Sequence, residues 1–464
     1  ARFLLPVLAV GMLAMVLLPV YGRDWLPQVG ATTAGILAVC TVFVLLILGV
    51  PAAVAMLLVG FLGIAYLSGV NPALGALQER PFAIPGYILA ALPLFILMTA
   101  LVQHSGIAQS VCLAAAHITG RLPGGQAVSS VVGSVFNSPT SVSGQSNVAV
   151  TSVAAQPPVE RHGQGFFSVA GSVAAGGPIA ILMPPSVGLV LYAVLAGTSI
   201  IRLFLAALVP AVLLGALFIL WAHLASAREG NTDTHSPSTS ATHSSFGLIL
   251  LVPFGMWMVP FAGMYIGMFT PVEAAGVAVL IAFILTLAWL PASNRSLPSV
   301  VHKSLLQALH ITSMLGLVLI GLSVFEHLLR QTGLPIVLAE NLSSLAWSPV
   351  ATLVIVLLIY VILSYFIEPL VLMVLSLPFL IEVTQALHLD PILFGVMLMM
   401  VIGIGLMLSP FYLNRRLALR DWTTFSTKKL LLGRAPYAII LMGMVALLIA
   451  FPQMTLWLTR PLGY

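Results

Sequence analysis

The chain has 464 residues, 60% hydrophobic and only 6% charged, with 17 basic and 12 acidic side chains. A mean hydropathy of +1.13 excludes folding around one water-soluble core, and a net charge of +5 spread over such a chain is the loop bias of a membrane protein, not the footprint of a nucleic-acid binder. Alternating strands of about ten residues are missing, so the spanning units are helices, whose backbone hydrogen bonds close within the segment.

In chain order, apolar runs predict spans near 3–21, 33–50, 52–68, 84–102, 166–183 and 204–224. The first is bracketed by Pro6 and Pro19 and is followed by no convincing Ala-x-Ala cleavage site, so residues 1–30 are read as an extra N-terminal transmembrane helix. Cys40 and Cys112 sit inside apolar segments without a Cys-x-x-Cys partner, and the ten histidines are scattered. Both cysteines read as small hydrophobes, and no structural metal site is expected.

Residues 226–245 are polar, Ser- and Thr-rich and without periodic hydrophobics, the composition of a flexible aqueous linker. It divides the chain into halves, 31–225 and 246–464. The second half carries spans near 246–266, 271–290, 307–325, 349–367, 391–408 and 435–451. Shorter pieces at 106–119, 369–386 and 452–459 are expected as re-entrant hairpins or interfacial arms.

Each half also has a helix interrupted by proline, at Ile181–Tyr192 (ILMPPSVGLVLY) and Gly405–Asn414 (GLMLSPFYLN). Paired interruptions at corresponding places point to inverted repeats with a binding site near the midplane. The fold class expected is therefore an all-α polytopic membrane protein of two inverted structural repeats. Each repeat has a re-entrant helical hairpin, about 126–159 and about 369–386, and a proline-broken helix. Arg415, Arg416, Arg420, Lys428, Lys429 and Arg434 against Asp421 place that segment in the cytoplasm, with Arg202 facing outward. The linker and N-terminus then lie inside and the C-terminus in the periplasm.

From Leu122 to Val159 there is no charge, yet 13 of the 24 residues from Ser129 to Ser152 are Ser, Thr, Asn or Gln. Such a segment lies at membrane depth only if protein or trapped water covers it. Outward-turned carbonyls with hydroxyl and amide oxygens form a neutral cage suited to a small monovalent cation, and half-helix N-termini favour an anionic solute. Glu273, after Thr270 and Pro271, either caps a helix or serves transport. Glu368 beside Pro369 is costly if buried and is a functional candidate, whereas Glu326 and Arg330 are an i,i+4 pair.

Three segments, LPLFILMTALVQHSGIAQ (Leu92–Gln109) with GRLPGG (Gly120–Gly125), MFTPVEAAGVAVL (Met268–Leu280) and LDPILFG (Leu389–Gly395), are close to one family's pattern. From about Ile47 to Thr459 the chain resembles the large membrane subunit of tripartite ATP-independent periplasmic (TRAP) transporters, the DctM-like family of the ion-transporter superfamily. By that resemblance, the family's Ser-Gly-Ser followed by Ala-Asp falls on Ser141, Val142, Ser143, Ser146 and Asn147, and its Pro-Pro-Ser on Pro184, Pro185 and Ser186. Its Asp-Pro falls on Glu368 and Pro369, and its Thr-Pro-Pro-x-Gly on Leu408, Ser409, Pro410, Phe411 and Tyr412, with Asn414 matching. A carboxylate is replaced at Asn147 and a glycine at Tyr412.

The resemblance implies a scaffold with an elevator-type transport domain in a bacterial inner membrane. It implies sodium-coupled import of small organic anions, typically carboxylates, delivered by a periplasmic substrate-binding protein, with a small four-helix membrane subunit as partner. Substrate or ion contacts are assigned on this basis to Ser141, Ser143, Asn147, Pro184, Pro185, Ser186, Thr270, Glu368, Ser409, Pro410 and Asn414. Sodium is assigned to Ser141, Ser143 and Asn147 and to Glu368 and Ser409. No organic cofactor and no catalysis are implied. The alternatives are a stand-alone proton-coupled carrier, a non-transporting receptor or scaffold, and a serine hydrolase using Ser143, for which no histidine is convincingly placed.

Overall fold

Residues of high apolarity that close their own hydrogen bonds build helices, and among the described residues every regular element is helical. The computed structural model describes residues 30–79, 89–120, 122, 124–141, 143–159, 166–228, 244–293, 295–344, 347–408 and 427–460. The expected N-terminal span 3–21, most of the linker, and Ser409, Pro410 and Asn414 lie outside them.

The helices are α1 (Ala31–Ile47), α2 (Ala52–Ser68), α3 (Val70–Glu79), α4 (Ala91–Ser105), α5 (Ile107–Thr119), α6 (Gly125–Asn137), α7 (Gly144–Val159), α8 (Phe166–Leu182), α9 (Val187–Leu195) and α10 (Ile200–Arg228). They continue with α11 (Ser244–Tyr265), α12 (Pro271–Ser293), α13 (Leu297–Thr332), α14 (Leu334–Ser344), α15 (Pro349–Phe366), α16 (Pro369–Ala386), α17 (Pro391–Leu408), α18 (Thr427–Ala450) and α19 (Gln453–Leu456). Among the described residues nine segments are long and apolar enough to cross a membrane, Ser168–Leu195 counting as one. The bent pair α4 and α5, at 62° about Gly106, makes a tenth if taken together. Gly106 has φ +92, a left-handed conformation that glycine adopts without cost, and Arg295 Nη1 donates to the terminal carbonyl of His104 there.

Two expectations change. Residues 369–386, assigned above to a hairpin, form the single continuous helix α16, which runs through Pro378. Eighteen residues rise about 27 Å, nearly a full crossing, and the interruption that precedes them is at Ile367 and Glu368, between α15 and α16. The linker is also shorter than 226–245, because α10 continues to Arg228 and buried Ser226 meets Ser168 at 3.1 Å, Oγ to Oγ.

The chain divides into two units. The first comprises Ala1–Gly86, Ser313–Thr352 and Val371–Leu389. In it α1 packs on α2 and α14, and α2 on α3. Glycines let α2 and α13 approach closely: a Cβ on Gly60 would lie 2.9 Å from the backbone N of Phe325, and one on Gly321 would lie 2.5 Å from the carbonyl of Ala53. Glu326 and Arg330 form the expected i,i+4 ion pair at 2.6 Å. With the Arg330 side chain 74% exposed, it adds little stability.

The second unit comprises Tyr87–Thr312, Leu353–Leu370 and Asp390–Tyr464. Its hub is α8, which packs against α6, α7, α10, α17 and α18. The most apolar windows of Ser168–Leu195 and of α17 are each 89% buried in protein, against 28% for α12. An apolar helix buried all round is core, and one left largely uncovered faces lipid. The hub is built from small residues, and a Cβ on Gly171 would meet the carbonyl of Gly433 at 2.1 Å.

Candidate functional site

The uncharged polar stretch folds as α6, a 3₁₀ turn over Ser138–Thr140, an extended Ser141 and then α7. Most of its hydroxyls are satisfied locally. Ser129 and Ser130 donate to the Gln126 carbonyl, Ser138 to that of Ser134, Thr151 to that of Asn147, and Ser152 to that of Ala149, all at 2.5–2.9 Å. A hydroxyl bonded three or four residues back exposes no unpaired donor, which is how so polar a segment is buried.

The two asparagines are different, because an amide has more hydrogen-bonding capacity than its own turn supplies. Asn137 and Asn147 are both 0% exposed. Asn137 Nδ2 donates to Asn147 Oδ1 at 3.1 Å, and Asn137 Oδ1 accepts from Thr140 Oγ1 at 2.7 Å. Asn147 Nδ2 donates to the carbonyls of Ser134 at 3.1 Å and Gly176 at 2.9 Å, with Ser138 Oγ at 3.4 Å. One side chain thus ties α7 to α6 and to the hub α8. Leaving such a buried amide unpaired costs roughly 1–3 kcal/mol. Glycine at 176 permits the approach, since a Cβ there would stand 2.4 Å from Ser134 Oγ.

The other residues singled out in this turn have local roles. Ser143 is the N-cap of α7: its Oγ accepts from Ser146 N–H at 3.3 Å, while its own N–H donates to Ser146 Oγ at 3.2 Å. Buried Ser141 Oγ donates to the Asn137 carbonyl at 3.3 Å and accepts from Asn137 Nδ2 at 3.5 Å.

Pro184, Pro185 and Ser186 lie in the break between α8 and α9 and are buried. Neither proline has an N–H, so the carbonyls of Ala180 and Ile181 lose their i+4 donors inside a buried span, leaving acceptor oxygens at the break. Glu368 is half-buried just ahead of α16 and makes no ion pair among the described residues. The structure brings this turn to the break: a Cβ on Gly188 would lie 3.2 Å from Met399 Sδ, 3.5 Å from Leu370 and 3.6 Å from Ser186 Oγ. Gly405 of α17 packs on Ser364 of α15. The polar turn thus packs on α8 at Gly176 and Gly177, and the Glu368 turn reaches the far side of the helix break at Gly188.

Thr270 is not part of this arrangement in its contacts. Its N–H and Oγ1 both donate to Glu273 Oε2 at 2.8 Å, and Glu273 N–H donates back to Thr270 Oγ1 at 3.4 Å. This is a capping box at the exposed start of α12. One residue missed by the sequence reading is Arg434. Grouped above with loop charges, it lies within α18 at 2% exposure, its Nε and Nη2 without partners among the described residues. A buried cation in a span is a functional pointer, and only its position past Thr427, where α18 begins, sets it apart from Arg415, Arg416 and Arg420, which lie outside the described residues.

Around Asn147 the nearest oxygens receive its amide nitrogen at 2.9–3.4 Å, and its Oδ1 faces Asn137 Nδ2.

Comparison with known proteins adds relatives. Residues 39–454 match the family profile of the DctM component of the tripartite ATP-independent periplasmic transporter. The C4-dicarboxylate TRAP transporter large permease protein DctM of Vibrio cholerae is 28% identical over 407 residues, covering 82% of this chain and 88% of the relative. The sialic acid TRAP transporter large permease protein SiaM of the same species is 29% identical over 435 residues, covering 90% and 97%. The Alcanivorax borkumensis YdaH transporter is similar in fold, with a TM-score of 0.59 at 14% identity over 84% of this chain and 90% of that one.

Proposed function

Because the chain belongs to the family of the DctM component of tripartite ATP-independent periplasmic (TRAP) transporters, we propose that it is the large permease of a secondary-active importer of small organic acids. It is a multi-pass membrane protein. In this reading it sits in the inner membrane beside a small membrane subunit and receives its solute from a periplasmic binding protein. The observation that supports the reading is the presence, in one unit, of the buried polar turn on α8, the proline break that ends α8 and the Glu368 turn beside that break.

The chemistry available there suits a carrier. Acceptor oxygens at the break and backbone N–H groups at the starts of α7 and α9 give weak contacts to cation and anion, and weak contacts permit release. The unit carrying these elements is read as the moving transport body and the other as its scaffold. The order helix, turn, helix, buried helix occurs at α6–α7–α8 and again at α15–α16–α17, which supports two repeats. We propose a sodium gradient as the driving force, with the ion carried on oxygens other than those of Asn147.

The solute class follows from chemistry only in outline. Two relatives carry the names of organic acids that differ in size and shape, at nearly the same identity to this chain. The test is uptake of a carboxylate panel by cells expressing the chain with its small subunit and binding protein, and with each omitted. The reading expects uptake of at least one acid that disappears when either partner is left out. Uptake unchanged by the chain alone would replace it with a stand-alone carrier.

A further inference from the structure

Buried Asn147 stands at the meeting point of three oxygens, and the direction of its amide is fixed by what those oxygens are. The carbonyls of Ser134 and Gly176 can only accept, so the group facing them at 3.1 and 2.9 Å must be the NH₂. Ser138 Oγ spends its proton on the Ser134 carbonyl and so also turns a lone pair toward Asn147 Nδ2, at 3.4 Å. The remaining end of the amide, Oδ1, accepts from Asn137 Nδ2. Hard cations stand about 2.3–2.6 Å from their oxygen ligands. Here the centre of the cage is instead a partially positive nitrogen at hydrogen-bonding distance.

We propose that Asn147 is a built-in substitute for a cation: its amide fills the oxygen cage between α6, α7 and α8, so this chain binds no sodium there. The cage is neutral and 0% exposed at Asn147, Asn137, Ser134 and Ser138, and both ends of the Asn147 amide already have partners. Entry of an ion requires expelling the NH₂ group and breaking its bonds to both carbonyls. The consequence is a fixed joint between hairpin and hub at all sodium concentrations, with ion coupling confined to other oxygens. This goes beyond the permease reading and does not depend on it, because uptake by the assembled transporter can succeed or fail without bearing on what fills the cage.

The test is equilibrium binding of radioactive sodium to the purified full-length chain in nanodiscs at pH 8.5, comparing wild type with Asn147→Asp and Asn147→Ala. The aspartate places a carboxylate oxygen against two carbonyl oxygens, a repulsion that a bound cation relieves. Asn147→Asp is expected to bind one more sodium ion per chain than wild type, and Asn147→Ala no fewer than wild type. A count in Asn147→Asp equal to or below the wild-type count overturns the proposal. So does loss of a sodium ion in Asn147→Ala, which keeps the test decisive if the aspartate variant does not fold.

Discussion

Asn137 and Asn147 face each other across the turn between α6 and α7, Nδ2 of the first donating to Oδ1 of the second at 3.1 Å with both side chains fully buried. Each also serves a further partner, Asn137 accepting from Thr140 and Asn147 donating to the Gly176 carbonyl. The turn is thereby locked from inside and fastened to the hub helix. Asn137→Ala is expected to destabilise the protein by roughly 1–3 kcal/mol, since it leaves buried Asn147 Oδ1 without its donor, while Thr140 keeps its bond to the carbonyl of residue 137. Thermal unfolding of the single and double alanine variants checks this. The double variant is expected to lose less than the sum of the two singles, because both cut the same network.

Close packing at the hub makes a graded prediction. A Cβ at Gly144 would lie 2.6 Å from the carbonyl of Gly177, and one at Gly171 would lie 2.1 Å from that of Gly433, whereas Gly255 has nothing within 4 Å. Backbone cannot rotate away as a side-chain tip can. Gly144→Ala and Gly171→Ala are each expected to cost about 1–3 kcal/mol, and Gly255→Ala to leave the melting temperature nearly unchanged. Yield and melting in detergent, measured on all three, read the difference.

Thr270 and Glu273 are accounted for by a helix start, so their removal separates a cap from a transport ligand. Thr270→Ala is expected to lower the melting temperature slightly and to leave the KM of uptake unchanged. A raised KM at unchanged stability would instead return Thr270 to the transport site.

Glu368 carries the opposite expectation. Half-buried, unpaired among the described residues and next to the Leu370–Gly188 contact, it is expected to matter for flux. Glu368→Gln is expected to lower uptake about tenfold or more, the scale of one lost charge-assisted contact, while membrane abundance is retained. Initial rates normalised to immunoblot signal decide it.

Much of the architecture was legible because run length and polarity are local properties. Most spans from 166 onward stand within a few residues of their expected places, 307–325 and 435–451 being underestimates of α13 and α18, and the 13 polar side chains in 24 marked the α6–α7 turn without any tertiary information. Pro184 and Pro185 announced the break between α8 and α9 because two missing N–H groups must interrupt a helix. The second interruption was misplaced because α15 is uncharged and α16 carries a single charge, Glu382, late in its length, so Glu368 and Pro369 are the local marks of the break, and a helix can begin at a proline. The role of Asn147 was out of reach for another reason. Asparagine offers both an oxygen and a nitrogen, and which one faces inward is set by Gly176, 29 residues away. Arg434 was hidden by its neighbours, since the same positive run that marks a loop continues into the first turns of α18.

The central claim is transport, and flux into sealed liposomes tests it most directly. The full complex, reconstituted with its small subunit and loaded binding protein, is expected to concentrate a radiolabelled carboxylate above the outside level when sodium is imposed outside. Without the gradient the internal level is expected to stop at equilibration. Accumulation that is indifferent to sodium, or that proceeds without the binding protein, contradicts the account.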